Sequence, residues 1–111
     1  MDRYTRHAKQ VLTAFSFFAL FAALALPAQA QTGESLYKTK CASCHGANGK
    51  GDTPAGKAMK VKDFASDEVK KMSDADLSEA IAKGKAKMPA FKTLTADQVK
   101  DLVAYVRGLQ K

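Results

Sequence analysis

The sequence contains no tryptophan, two cysteines, two histidines and three prolines among 111 residues. Each shortage closes off a class of protein. Two cysteines with one nearby histidine do not supply the four ligands of a structural zinc site. One disulfide is the most they permit, and a bridge from Cys41 to Cys44 would close too short a loop to staple a domain. A C-x-x-C redox pair is expected beside a βαβ pattern, which is missing, as is sustained strand-like alternation. The longest apolar run, Val11–Leu26, falls below the ~20 residues that cross a bilayer as a helix.

What is present at the amino terminus reads as an export signal. Arg3, Arg6, His7 and Lys9 precede the apolar run, and Pro27 and Ala28-Gln29-Ala30 follow it. A charged start, an apolar middle and an A-x-A end predict a secretory signal peptide over residues 1–30, cut after Ala30. Residues 31–111 then form the mature domain. A retained membrane anchor is the competing reading. The residue after the cut is Gln31, not cysteine, which argues against a lipoprotein anchor.

Loss of Arg3, Arg6, Lys9 and Asp2 lowers the net charge from +7 to +5. Export and the acids scattered among the lysines argue against a nucleic-acid partner. The lysines read either as a solvated surface or as a positive face that steers docking onto acidic partners. A domain this small buries only about 60% of its unfolded surface, so it calls for a staple.

Four helices are expected. Thr95 and Gln98 form a capping box ahead of Val99, Leu102, Val103, Val106 and Leu109 at helical spacing. Ser73 with Asp76 starts a second, through Leu77, Ala80 and Ile81 to Gly84. A third runs from about Gly33 to Ala42 with Thr32 as its cap, and a short one lies near Asp67–Lys71. Gly46–Lys62 and Lys85–Thr93 read as loops. An all-α chain with loops this long needs something for them to wrap.

Cys41-Ala42-Ser43-Cys44-His45 supplies it. C-x-x-C-H is the pattern of covalent haem attachment. Two thiols three residues apart on about one helical turn reach the two vinyl groups of one porphyrin edge, and the next residue brings its imidazole under the iron. One haem c with its iron is therefore the expected cofactor, with Cys41 and Cys44 as thioether sites and His45 as an axial ligand. No second histidine follows residue 30, so the other axial ligand is sought among Met59, Met72 and Met88. Met72 sits between two helix signals and reads as core. Met59 lies in a lysine-rich loop. Met88 stands in a loop between helices with Pro89 behind it to fix the backbone, and is the preferred ligand. A thioether raises the reduction potential relative to bis-histidine.

From about Thr32 to Leu109 the chain resembles the small class I cytochromes c. The resemblance rests on Gly33-Glu34-Ser35-Leu36-Tyr37, Cys41-Ala42-Ser43-Cys44-His45-Gly46, Gly49-Lys50-Gly51-Asp52, Gly84-Lys85-Ala86-Lys87-Met88-Pro89-Ala90-Phe91 and Leu102-Val103-Ala104-Tyr105-Val106-Arg107. It implies an all-α fold wrapped around one haem, with first and last helices crossing at Gly33, Tyr37 and Tyr105. It implies that Met88 is the axial methionine, and that the His45 ring donates its other N–H to the Pro54 carbonyl. Met59 has no place in that pattern.

The expected function is electron transfer, not catalysis. With both axial positions filled, the iron passes single electrons between larger redox proteins with acidic docking surfaces, through small transient contacts. Phe64, Phe91, Leu77, Ile81, Val99, Leu102 and Val103 are expected to cover the haem, and Lys40, Lys50, Lys57, Lys85 and Lys87 to orient partners around its exposed edge. A monomer without a lasting membrane anchor, in the periplasm or an equivalent oxidising compartment, completes the expectation. Two rivals remain: a haem enzyme or gas sensor with an open sixth position, and a membrane-tethered subunit.

Overall fold

The computed structural model describes residues 32–111. The expected signal peptide, residues 1–30, lies outside the described residues. Within them the chain forms α1 (Thr32–Lys40), α2 (Ala42–His45), α3 (Pro54–Met59), α4 (Asp67–Lys70), α5 (Asp74–Lys83) and α6 (Ala96–Leu109), and no extended strand. The all-α expectation holds, with two helices more than the sequence suggested.

The two longest helices start where their caps dictate. At α6 the Thr95 hydroxyl accepts from the Gln98 N–H at 3.2 Å while Gln98 Oε1 accepts from the Thr95 N–H at 2.9 Å. Ser73 and Asp76 make the same reciprocal pair at α5. These bonds satisfy N–H groups that have no partner inside a helix. Gly84 ends α5 at φ +78°, where a side chain would be strained.

Gly46–Lys62, expected as a loop, contains α3. Thr53 caps it, accepting from the Gly56 N–H at 2.9 Å, and Pro54 fills the first helical position, where its missing N–H costs nothing. Gly56 inside so short a helix weakens its local signal. It is required by packing, because a Cβ there would sit 2.6 Å from the Gly51 carbonyl oxygen. The helix expected over Gly33–Ala42 also differs. It begins at Thr32, breaks at Cys41, and resumes as the single turn α2.

The core lies where α1 crosses α6. A Cβ on Gly33 would lie 2.6 Å from the Asp101 carbonyl oxygen, so the two backbones approach as only glycine allows. Tyr37 and Leu102 are fully buried in this crossing. The Tyr37 ring lies 5.0 Å from that of Tyr105 and 6.3 Å, edge-on, from that of Phe64. Val99, Val103 and Val106 continue the apolar face of α6, and Leu77 and Ile81 meet it from α5. Arg107 clasps the two helices: Nη2 donates to the Met72 carbonyl at 2.6 Å and Nε to Asp74 at 2.9 Å.

Candidate functional site

The α1–α6 crossing forms the floor of a cavity of about 610 Å³, within the roughly 300–1,000 Å³ range of cofactor sites. Cys41, Cys44 and His45 line one part of it, and Leu77, Ile81, Leu102, Val103 and Val106 supply apolar wall. Met88, Pro89 and Phe91 of the loop after α5 also line it.

Local folding puts both cysteines on this cavity. The Cys41 N–H donates to the Tyr37 carbonyl at 2.9 Å, ending α1, and the Cys41 carbonyl accepts from the His45 N–H at 3.0 Å, closing α2. This single turn carries both thiols and the imidazole. Both thiols are free and part-buried. Burial pushes the Cys41 thiol above its ordinary range, against a smaller opposite pull from Lys40. Burial also lowers the His45 pKa, which favours the neutral form that can ligate a metal.

The His45 ring stacks on Phe64 with centroids 4.7 Å apart and planes 24° from parallel. Phe64 is itself fixed, its N–H donating to the Gly49 carbonyl at 2.9 Å. A Cβ at Gly49 would lie 2.5 Å from the Phe64 ring. His45 Nδ1 is buried with no hydrogen-bond partner. The bond from His45 to the Pro54 carbonyl is therefore not made. Pro54 is exposed at the start of α3, where its carbonyl runs along the helix axis.

Other expectations are redistributed. Met59 and Met72 line the cavity along with Met88, and Met59 is the one large exposed apolar side chain of the described residues, at 45%. Val99 is buried in the core and not in the cavity wall. Lys40, Lys85 and Lys87 border the cavity as expected. Lys50 and Lys57 do not; Lys60 and Lys62 take their place, Lys62 paired with Glu68. Both follow α3, a helix with no clear signal in the local sequence.

The donor set fits haem. Two thiols, an imidazole and the thioethers of Met59, Met72 and Met88 share one apolar cavity. Among the described residues no group of three or more His, Cys, Asp or Glu is placed to hold a bare metal ion.

Residues 28–106 match the family described as cytochrome c oxidase, cbb3-type, subunit III. A cytochrome c6 of Rippkaea orientalis is 34% identical over 98 residues, covering 86% of each chain. The chain belongs to the c-type cytochrome family. This cytochrome is also 32% identical over 88 residues to the cytochrome bc1 complex cytochrome c subunit of Corynebacterium diphtheriae. That match covers 77% of this chain and only 29% of the subunit's length. Among solved structures, the KustC0563 c-type cytochrome aligns with a TM-score of 0.64 and 38% identity, over 71% of this chain and 98% of that one. The cofactor of this family is covalently bound haem c with its iron, and Cys41 and Cys44 are the cysteine pair it requires.

Proposed function

We propose that this cytochrome is an exported carrier of single electrons, with haem joined to Cys41 and Cys44 and held axially by His45 and Met88. The observation that carries the reading is Cys41, Cys44 and His45 on one cavity with Met88, which is preferred to Met59 and Met72 in the same cavity because Pro89 fixes its backbone. Bound haem supplies the one-electron couple of its iron. The chain's residues do the rest. Cys41 and Cys44 fix the group to the single turn of α2. Phe64 sets the plane of the His45 ring. Leu77, Ile81, Leu102 and Val103 exclude water. With Met88 as sixth ligand, no site stays open for oxygen or peroxide, which separates a carrier from a haem enzyme or gas sensor.

Lys40, Lys60, Lys85 and Lys87 surround the cavity with positive charge, which suits brief docking on acidic surfaces of larger redox proteins. The relationship to cytochrome c6 supports a diffusing protein, and the segment 1–30 supports export, to the periplasm or an equivalent compartment. The relationship to a bc1-complex subunit favours a second reading, a subunit tethered through an uncut Val11–Leu26. No helix among the described residues is long and apolar enough to cross a membrane.

The test is a redox titration with spectra on haem-loaded protein recovered after export. A far-red sulfur-to-iron charge-transfer band in the ferric state supports the carrier. A high-spin ferric spectrum overturns it. The intact mass divides the two locations: loss of residues 1–30 with gain of one haem supports the free carrier, and retention of those residues supports the tethered subunit.

A further inference from the structure

The loop that carries Met88 is closed on itself and on the end of α5. The Lys85 N–H donates to the Met88 carbonyl at 3.2 Å and the Met88 N–H to the Lys85 carbonyl at 2.9 Å. Downstream, the Phe91 N–H donates to the Ile81 carbonyl at 3.0 Å. Upstream, Gly84 is pressed against the loop, since a Cβ there would lie 2.7 Å from the Met88 carbonyl oxygen. The reversal between Lys85 and Met88 turns on Ala86, which has φ +52°. An L-residue holds the left-handed region only at a cost, because Cβ crowds the following carbonyl. The Ala86 side chain is exposed and borders the cavity.

We propose that Ala86 is a positioning residue that sets how firmly the Met88 sulfur is held towards the haem iron; this rests on Met88 being the sixth ligand. The left-handed turn is what aims residue 88 at the cavity, and alanine in it leaves the ligated loop conformation weaker than glycine would. The cost to an L-residue of the left-handed region exceeds the extra chain entropy that glycine loses. Replacement by glycine therefore shifts the loop towards its closed form by about threefold. A β-branched residue, stiff at χ1 and crowded at positive φ, shifts it the other way.

The test is imidazole titration of the ferric haem-loaded protein, because imidazole competes with a thioether for the iron. In Ala86→Gly the apparent Kd for imidazole rises about threefold with the far-red band retained. In Ala86→Val it falls by a similar factor or more. Unchanged imidazole affinity in both variants, even with a shifted urea midpoint, overturns the proposal and leaves the Met88 assignment standing. Absence of the far-red band from the unsubstituted protein removes the Met88 assignment, and this proposal with it.

Discussion

The Tyr37 hydroxyl donates to the Gly46 carbonyl at 2.6 Å, tying the buried face of α1 to the residue that follows His45. Both residues are buried, so the bond fixes the end of α2 relative to the main helix crossing. Tyr37→Phe leaves that carbonyl without its donor, at a cost of about 1–2 kcal/mol. Urea unfolding of the haem-loaded protein measures it. A change within error means the bond contributes nothing.

The same phenol predicts an alkaline effect. Burial, the largest cause, raises the Tyr37 pKa well above the ordinary value of about 10. The folded protein keeps a proton that the unfolded chain releases, so stability falls as pH rises. This contribution is intact below about pH 10 and is lost progressively above it. The stability gap between the native protein and Tyr37→Phe therefore narrows above about pH 10. A gap that widens there contradicts the assignment.

Gly33→Ala pushes a methyl into the Asp101 carbonyl and must part α1 from α6. Overpacking of this kind costs about 1–3 kcal/mol. Gly108 has open space around its Cβ position, so Gly108→Ala in the same α6 is the control and does not destabilise. Equal thermal midpoints for the two variants would sink the argument.

The Arg107 clasp separates two kinds of interaction. Asp74 is 74% exposed, and an ion pair at that exposure contributes little. The bond to the Met72 carbonyl is part-buried. Arg107→Ala is thus expected to cost about 1–2 kcal/mol, and Asp74→Asn to be close to neutral. Urea denaturation of both variants decides it, and equal losses would mean that the ion pair carries the clasp.

Charge reversal at Lys85 and Lys87 should slow electron transfer to an acidic redox partner by about tenfold at low ionic strength. The difference from the native protein should vanish as added salt shortens the screening length below about 8 Å. Stopped-flow rates across a salt series test this. A salt-independent difference would place the effect in the haem environment and not in steering.

Much of this architecture is legible without coordinates because its signals are local. Thr95 with Gln98 and Ser73 with Asp76 are caps whose partners lie three residues away. Cys41, Cys44 and His45 share one turn. Tertiary contacts decided the remainder. Helix α3 carries a weak local signal because Gly56 lowers helix propensity, and glycine is required there by the Cys44 and Gly51 carbonyls pressed against it. Lys60 and Lys62 reach the cavity because α3 ends in a left-handed Lys60 that turns the chain back. No spacing rule reveals that Phe64 stacks on His45, since nineteen positions separate them. The sequence by itself determined the helical class, the attachment turn and the candidate sulfur, because each depends on neighbours along the chain. Only the tertiary structure decided which side chains surround the imidazole and which lysines border the cavity. Those depend on how closely backbones approach at Gly33, Gly49 and Gly56, and that distance is set by atoms remote in sequence.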